Sequence, residues 1–230
     1  MRRLPLTTAL RILPAEIRSR TTAHVVRATR NDRFELDGAD YEYLYHHYNA
    51  TWRNERAVEV PVARAMLERV RPGPMLEVGN VLHNYLPPAL LPAGRVVVDK
   101  YEVYDGVINA DVMEFTPPRP CAAVVAISTI EHVGWDEEPR EPEKAVAAIQ
   151  RLHSWLAPGG ELLVTVPIGH NPALDQYLLD DKPVFERLSF MRRVDARNRW
   201  VQAGAQEVRG AAYGSPFPFA NAIAVGRSRG

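Results

Sequence analysis

The stretch Met75-Leu76-Glu77-Val78-Gly79-Asn80 decides the fold, because a short apolar run ends there in a carboxylate, a glycine and an amide. The turn Pro72-Gly73-Pro74 precedes it, and four more apolar runs follow at spacings long enough for crossover connections. This pattern predicts the first strand of a parallel α/β sheet. Open parallel sheets bind ligands outside the carboxyl ends of their strands, and a glycine there allows close approach of the backbone. We therefore expect Glu77, Gly79 and Asn80 to form the floor of a ligand site.

Composition narrows the class of partner. The chain has 230 residues, 46% hydrophobic and 24% charged, which favours one domain with an elaborated terminus. A formal net charge of +0 removes the electrostatic argument for nucleic-acid binding. We therefore expect a small-molecule substrate and no nucleic acid.

The cysteine count and the hydropathy of the chain indicate the cellular compartment of the protein. The single cysteine, Cys121, excludes an intramolecular disulfide, and its place in an apolar run favours a buried packing role. No run approaches the ~20 apolar residues needed to span a bilayer. The sequence predicts a cytoplasmic protein with no membrane partner, and leaves open a homodimer.

Periodicity predicts alternating helices and strands after residue 54. A helix begins near Asn54, with Val58, Val62, Met66 and Val70 along one face. The predicted strands after the first cover 95–99, 107–111, 122–128 and 162–166, and closing strands cover 199–209 and 222–226. A second long helix starts near residue 142 and is expected to stop at Pro158-Gly159-Gly160, and a short one covers 174–179.

The N-terminal region carries a different pattern. Aromatic and imidazole groups crowd residues 41–49, and side chains with apolar bodies and polar tips suit either a pocket wall or a half-buried packing strip. We assign residues 1–53 to an arm and cap, and 54–230 to the core domain. The substrate-wall candidates beside the first core helix are Tyr48, Trp52, Arg53 and Asn54.

The order of motifs from residue 54 to 228 resembles the class I S-adenosylmethionine-dependent methyltransferases. The matching pieces are Leu76-Glu77-Val78-Gly79, Asp99 at 22 residues after Glu77, Asp111, Ser128 to His132, and residues 156–162. The resemblance implies a Rossmann-like, mostly parallel, seven-stranded sheet flanked by helices. It also implies that Gly79 passes under the cofactor, that Asp99 holds the ribose hydroxyls, and that Asp111 with Val112 addresses the adenine. The full set of expected cofactor residues is Glu77, Gly79, Asn80, Asp99, Lys100, Asp111, Val112 and Ser128.

The chemistry of the acids agrees with this resemblance. A carboxylate has two acceptor oxygens, so Asp99 can bind two vicinal hydroxyls and Asp111 can accept from an exocyclic amine. An acid about 20 residues after the glycine turn also occurs in dinucleotide-binding folds, so NAD is the competing cofactor. A second glycine is missing after Gly79, which argues against NAD. The same gap departs from the methyltransferase pattern, so either Asn80 and His83 hold the methionyl end or the site has been repurposed.

Glu131-His132 is the catalytic candidate, because it follows the strand 122–128. A neutral imidazole, with an ordinary pKa of about 6.5, can accept a proton from a hydroxyl or ammonium group. In some small-molecule O-methyltransferases a similar pair helps to hold a divalent metal, and Asp136 could add a ligand, but we do not expect a required metal. His132 could also orient the substrate or brace the strand end. His170 and Asn171 follow the next strand as substrate candidates.

The sequence therefore predicts a methyltransferase that acts on a hydroxyl, or an amine, of a sugar, glycoside or secondary metabolite. One alternative is another enzyme on the same fold, such as a cyclase or an NAD-linked enzyme. The other is a non-catalytic subunit, since fold alone does not settle function.

Overall fold

The computed structural model describes residues 6–180, 182 and 184–230, with the side chains of the first helix described from residue 15. The first five residues of the predicted arm lie outside the described residues. The helices are α1 (Leu6–Thr29), α2 (Arg56–Arg69), α3 (Lys144–Ser154), α4 (Pro172–Leu179) and α5 (Ala205–Val208). The strands are β1 (Arg33–Leu36), β2 (Ala39–Glu42), β3 (Met75–Val78), β4 (Val96–Val98), β5 (Val107–Ile108), β6 (Cys121–Ile127), β7 (Leu156–Pro167), β8 (Arg187–Arg193), β9 (Trp200–Ala203) and β10 (Ala222–Arg229).

Eight strands form one mixed sheet in the order β5-β4-β3-β6-β7-β10-β8-β9. Neighbours from β5 through β7 pair in parallel, whereas β10 pairs antiparallel with both β7 and β8, and β8 pairs antiparallel with β9. The chain moves outward in one direction from β3 to β5 and in the other from β6, so the order reverses between β3 and β6. The predicted Rossmann-like α/β class is confirmed, but the sheet has eight strands and not seven.

The additional strand is β8, which the sequence did not reveal. Its residues Leu188 to Met191 are apolar or small, but Arg187, Arg192 and Arg193 flank them, so the apolar run is short. The predicted strand 199–209 is also too long, since it ends at Ala203 and the chain turns into α5.

Helices cover both faces of the sheet. On one face, α3 buries Val146, Ile149 and Leu152. On the other, α2 buries Val58 and Met66 from its predicted face. Full burial of each such side chain contributes about 1.5–3 kcal/mol of transfer free energy. The central strand β6 is apolar throughout because it lies between β3 and β7 with both faces covered.

Two other predicted boundaries are wrong. The triplet Pro158-Gly159-Gly160 does not stop α3, which ends at Ser154, but lies inside β7. Gly160 is needed there because a Cβ would lie 2.5 Å from the carbonyl oxygen of Cys121. The predicted strand 107–111 contains only β5, at the sheet edge.

The N-terminal hairpin packs into the same core as α2. Strands β1 and β2 form a separate two-stranded sheet. The ring of Phe34 stacks on that of Tyr41 at 5.2 Å, and the ring of Tyr43 stacks on that of Tyr45 at 6.0 Å. All four rings are buried in the hydrophobic cluster that includes Met66 of α2. The buried rings of Tyr41, Tyr43 and Tyr45 therefore serve packing, whereas Tyr48 is exposed, and the division at residue 53 stays a prediction.

None of the helices in residues 6–180, 182 and 184–230 combines the length and apolar character needed to cross a bilayer.

Candidate functional site

A cavity of about 430 Å³ opens at the carboxyl ends of the central strands, where the strand order reverses. This is the place where open α/β sheets bind ligands. Apolar groups form much of its wall, and acids, one lysine and one imidazole complete it. The lining residues are Val78, Val98, Asp99, Lys100, Tyr101, Glu102, Ala110, Asp111, Val112, Thr129, His132, Val133 and Glu137.

Four of the eight predicted cofactor residues line this cavity, namely Asp99, Lys100, Asp111 and Val112. The other four do not line it, namely Glu77, Gly79, Asn80 and Ser128. Gly79 has φ +82°, and a Cβ there would lie 2.2 Å from Oγ1 of Thr129, which does line the cavity. The glycine therefore permits close packing of the loop beneath the cavity.

Glu77 holds the loop that follows β3. Its carboxylate accepts hydrogen bonds from the backbone N–H groups of Val81 and Leu82, each at 2.8 Å, and pairs with Arg95. In a dinucleotide-binding fold, backbone N–H groups at this turn face a pyrophosphate. Here two of those amides are already bound to a buried carboxylate. Glu77 therefore has a structural role, and the loop is poorly suited to a pyrophosphate.

The two carboxylate oxygens of Asp99 differ, because only one of them accepts hydrogen bonds from the described residues. Its Oδ1 accepts from the backbone N–H groups of Tyr101 at 2.8 Å and Glu102 at 2.7 Å, which fixes the loop after β4. No hydrogen bond to Oδ2 is found among the described residues. Asp99 lines the cavity, so its second oxygen is a candidate acceptor for a ligand hydroxyl.

Asp111 belongs to a four-membered charge cluster. Its Oδ2 lies 2.6 Å from Nζ of Lys144 and 3.0 Å from Nζ of Lys100. Both lysines also contact Glu137, at 2.7 and 2.8 Å. Burial acts to raise the pKa of Asp111, but hydrogen bonds from Lys144, the Met113 backbone and Lys100 outweigh it and lower the pKa to about 2. Asp111 is therefore an anion whose acceptor sites are largely occupied.

Asn80 and His83, the candidates for the methionyl end, differ in availability. Asn80 is buried and donates from Nδ2 to Glu102 at 3.0 Å. The Nδ1 atom of His83 is buried without a partner in the described residues, and its ring packs against Tyr104 at 4.7 Å. Burial lowers the pKa of His83. His83 thus offers a neutral imidazole beside the loop, whereas Asn80 is committed to Glu102.

His132 lies at the end of the cavity nearest β6 and takes part in a cluster. Its Nδ1 lies 2.5 Å from Oδ2 of Asp136, and its Nε2 lies 3.7 Å from Oε1 of Glu131. Its ring meets that of His170 at 4.5 Å between centroids, edge to face. The Nε2 atom of His170 lies 3.4 Å from the same Oδ2 of Asp136, without hydrogen-bond geometry. The ends of β6 and β7 thus bring together residues that the sequence placed 38 positions apart.

Glu131 is fully buried behind His132. Burial raises its pKa well above the ordinary value, with repulsion from Glu59 acting in the same direction. Its Oε2 has no hydrogen-bond partner among the described residues. Nearby, Ser128 donates to Oε1 of Glu59 at 2.6 Å, and Glu59 pairs with Arg56. Ser128 therefore ties β6 to α2, while the burial of Glu131 favours the protonated form of its carboxyl group.

The predicted substrate residues separate into two groups. Asn54 and Asn171 are buried and structural: Asn54 donates to the carbonyl of Asn49 at 2.7 Å, and Asn171 caps α4 while donating to the Glu131 carbonyl at 3.2 Å. The remaining predicted side chains, Tyr48, Trp52, Arg53 and His170, are exposed or half-buried.

Tyr48 and His170 contact different neighbours. The ring of Tyr48 meets that of Tyr85 at 5.6 Å, and His170 packs edge-on against Tyr213 at 5.8 Å. Only His170 among the predicted substrate residues contacts His132 in the part of the chain that is described.

Sequence reasoning missed several cavity residues. Each lies within five positions, along the chain, of a residue that the sequence did identify. They are Tyr101, Glu102, Ala110, Thr129, Val133 and Glu137. A carboxylate three residues after Asp99 and another five after His132 were the available signals.

No protein-family model and no curated protein matches the chain. Among solved structures, N-methyltransferase NodS from Bradyrhizobium japonicum WM9, in complex with S-adenosyl-L-homocysteine, is 14% identical with a TM-score of 0.43, over 76% of this chain and 86% of that one. The sugar N-methyltransferase KedS8 from Streptoalloteichus sp. is 13% identical with a TM-score of 0.38, over 76% and 88%. An rRNA methylase from Streptococcus thermophilus is 11% identical with a TM-score of 0.44, over 74% and 96%. Because similarity this low decides nothing about activity, the function must be inferred from the residues of this chain.

Proposed function

We propose that this chain is an S-adenosylmethionine-dependent methyltransferase acting on a small molecule, at a hydroxyl or amine of a sugar, glycoside or secondary metabolite. One observation carries the proposal. At the reversal of strand order, Asp99 and His132 line the same partly apolar cavity, and one carboxylate oxygen of Asp99 has no hydrogen-bond partner among the described residues.

The residues present fit an adenosyl group. The volume lies within the range of about 300–1,000 Å³ that is usual for ligand pockets. Val98, Val112 and Val133 offer apolar surface to a base, and Oδ2 of Asp99 can accept from a ribose hydroxyl. When bound, S-adenosylmethionine supplies an electrophilic methyl group on a positively charged sulfur.

His132 would handle the proton of the acceptor. Its ring is half exposed at the cavity edge, so an acceptor can reach it. A neutral imidazole can take a proton from an acceptor hydroxyl or ammonium group, and the resulting nucleophile is more reactive. The buried Glu131 lies behind the ring with a raised pKa, and the ring of His170 packs against that of His132.

One contact supports this cofactor over NAD, and two further features bear on the acceptor and the location. The carboxylate of Glu77 binds the amides of Val81 and Leu82, which a pyrophosphate would otherwise use. The formal net charge of +0 and a cavity of this size suit a small acceptor better than a polyanion. A single buried cysteine suits a cytoplasmic location.

Thermal unfolding with S-adenosylhomocysteine, S-adenosylmethionine and NAD in parallel tests the cofactor assignment. A ligand at 100 times its dissociation constant stabilises the native state by about 2.7 kcal/mol. We expect both adenosyl compounds to raise the Tm and NAD to leave it unchanged. Stabilisation by NAD alone would replace the proposal with a nicotinamide-linked enzyme.

A further inference from the structure

Asp136 contacts both histidines at the ends of β6 and β7, and the proposed function assigns it no role. Its Oδ2 lies 2.5 Å from Nδ1 of His132 and 3.4 Å from Nε2 of His170. These three ligand atoms lie within 4.8 Å of one another, so the cluster could hold either a proton or a cation. The interatomic distances discriminate between these two occupants.

A cation fits poorly between His132 and Asp136. Two ligand atoms about 2.1 Å from a tetrahedral zinc ion lie about 3.4 Å apart. The separation of 2.5 Å between Nδ1 of His132 and Oδ2 of Asp136 is that of a direct hydrogen bond. This contact therefore suits a shared proton better than a cation.

The loop that carries Asp136 is anchored to the cofactor side of the cavity. The adjacent Glu137 is bound by Nζ of Lys100 at 2.8 Å and Nζ of Lys144 at 2.7 Å. Its Oε1 also accepts from the backbone N–H of Gly134 at 3.2 Å. A Cβ on Gly134, at φ +71°, would lie 2.1 Å from the carbonyl oxygen of Glu141, so the loop is tightly folded. These contacts hold Asp136 in place although its own side chain is half exposed.

We propose that Asp136 is a positioning residue that keeps a proton on Nδ1 of His132 and so leaves Nε2 as the atom that accepts the acceptor's proton. The inference rests on the proposed function, because only a proton-accepting His132 needs a particular tautomer. A neutral imidazole carries one N–H, and a carboxylate beside one nitrogen selects that nitrogen as the donor.

With a hydroxyl acceptor, the O–H bond breaks as an N–H bond forms at Nε2 of His132, and the oxygen forms a new bond to the methyl carbon. The methyl–sulfur bond breaks, and its electron pair stays on sulfur as a neutral thioether. Asp136 remains ionised beside the imidazolium, which later releases its proton to water.

The tautomer of His132 is measurable without any substrate. Long-range ¹H–¹⁵N NMR spectra, recorded where the ring is neutral, distinguish a protonated from an unprotonated ring nitrogen. The His132→Gln variant assigns the signal among the seven histidines of the chain. We expect Nδ1–H in the wild-type protein and in Asp136→Glu, and a shift towards Nε2–H in Asp136→Asn. Asp40→Asn, an exposed change on the distant hairpin, is the matched control and should leave the signal unchanged.

Turnover gives the second readout. In a buried His–Asp pair, loss of the carboxylate charge costs about 10⁴-fold in kcat because the wrong tautomer forms. Here water reaches the pair, since the side chains of His132 and Asp136 are 49% and 46% exposed, so we expect a loss of about tenfold in Asp136→Asn. The KM should change by less than about twofold, and Asp136→Glu should recover part of the kcat.

Three results would overturn the assignment. They are an Nε2–H tautomer in the wild-type protein, an unchanged tautomer and kcat in Asp136→Asn, and loss of activity on chelation that Zn²⁺ or Mn²⁺ restores. Failure of S-adenosylhomocysteine to bind the wild-type protein would instead refute the proposed function, while the NMR measurement would still show whether Asp136 sets the tautomer.

Discussion

The two sides of the switch point between β3 and β6 differ in how their polar groups are satisfied. On the side of β4 and β5, Asp111 is neutralised by Lys100 and Lys144, and the cavity beside it has largely apolar walls. On the side of β6 and β7, Glu131 is buried with a free oxygen, and Nε2 of His170 lacks a hydrogen-bond partner in the described residues. On the first side the charges of Asp111 and the lysines are paired and one carboxylate oxygen of Asp99 stays open, whereas on the second a buried carboxyl oxygen and an imidazole nitrogen have no partner in the described residues.

This contrast suits two different tasks. A cofactor that binds in every cycle is held well by fixed shape and a few acceptors, because preformed groups lose little entropy on binding. A reacting group needs a partner that changes its protonation during the step. We therefore expect mutations on the β4 side to change affinity and mutations on the β6 side to change rate.

The largest effect should follow His132→Ala. If His132 accepts the proton of the acceptor, its loss should lower kcat by about 10²–10⁴-fold. The affinity for S-adenosylhomocysteine should be nearly unchanged, because the β4 side keeps all its groups. Transfer of a labelled methyl group to an acceptor found by screening, with calorimetry for the affinity, measures both quantities.

His153→Ala is the matched control for that experiment. His153 is exposed on α3, away from the cavity wall, so this variant should keep its full rate. A His132→Ala enzyme with normal turnover and a lowered Tm would show that His132 braces the end of β6. The distinction between an affinity side and a rate side would then be lost.

The next largest effect should follow Asp99→Asn. An asparagine oxygen can still accept from the Tyr101 and Glu102 amides, so the loop should keep its shape, but the second carboxylate oxygen is replaced by an amide nitrogen. Loss of a hydrogen bond to a charged group costs about 1.5–3 kcal/mol, or about 10–150-fold in affinity. Calorimetry with S-adenosylhomocysteine measures it.

Asp105→Asn provides the comparison within the same loop. Asp105 is exposed and does not line the cavity, so its change should leave affinity unaltered. Equal affinities for the Asp99→Asn and wild-type proteins would remove Asp99 from the site. A fall in kcat without a fall in affinity would contradict the division between the two sides.

The sequence predicted the fold class, and it predicted that residues after β6 and β7 would lie together. It did not predict the ion-pair partners of individual side chains. Alternating apolar strands and helices require a parallel sheet, so the groups after β6 and β7 had to share an edge. The roles of Glu77 and Asp111 were different, because they depend on partners far along the chain. Arg95 lies 18 residues from Glu77, and Lys144 lies 33 residues from Asp111.

The composition of the chain also does not show which residues meet in the folded protein. Two of the three lysines of the chain, Lys100 and Lys144, meet in one cluster around Asp111 and Glu137. The aromatic stretch before Asn49 suited a pocket wall as well as a packing strip, and most of its buried rings face the core beside α2. Hydrophobicity alone does not say which apolar surface a ring covers.

The smallest effect concerns the buried carboxyl group of Glu131 and depends on pH. Because burial raises its pKa in the folded protein, Glu131 contributes stability that is fully present below its ordinary pKa of 4.5 and is lost as pH rises through the folded-state pKa. Glutamine has nearly the same shape but does not ionise. The free energy of unfolding of Glu131→Gln, relative to the wild-type protein, should therefore increase with pH by at most about 1.4 kcal/mol per pH unit.

Urea unfolding of both proteins across the range from acid to alkaline pH tests this expectation, with Glu114→Gln as an exposed control that should give a difference independent of pH in neutral and alkaline solution. If Glu131 were instead ionised and stabilised by a cation on the β6 side, the sign would reverse, because a depressed pKa adds stability above the ordinary pKa. The wild-type protein would then become the more stable of the two as pH rises. That outcome would show that the β6 side is satisfied in the same way as the β4 side, and the comparison between them would fail at its most buried group.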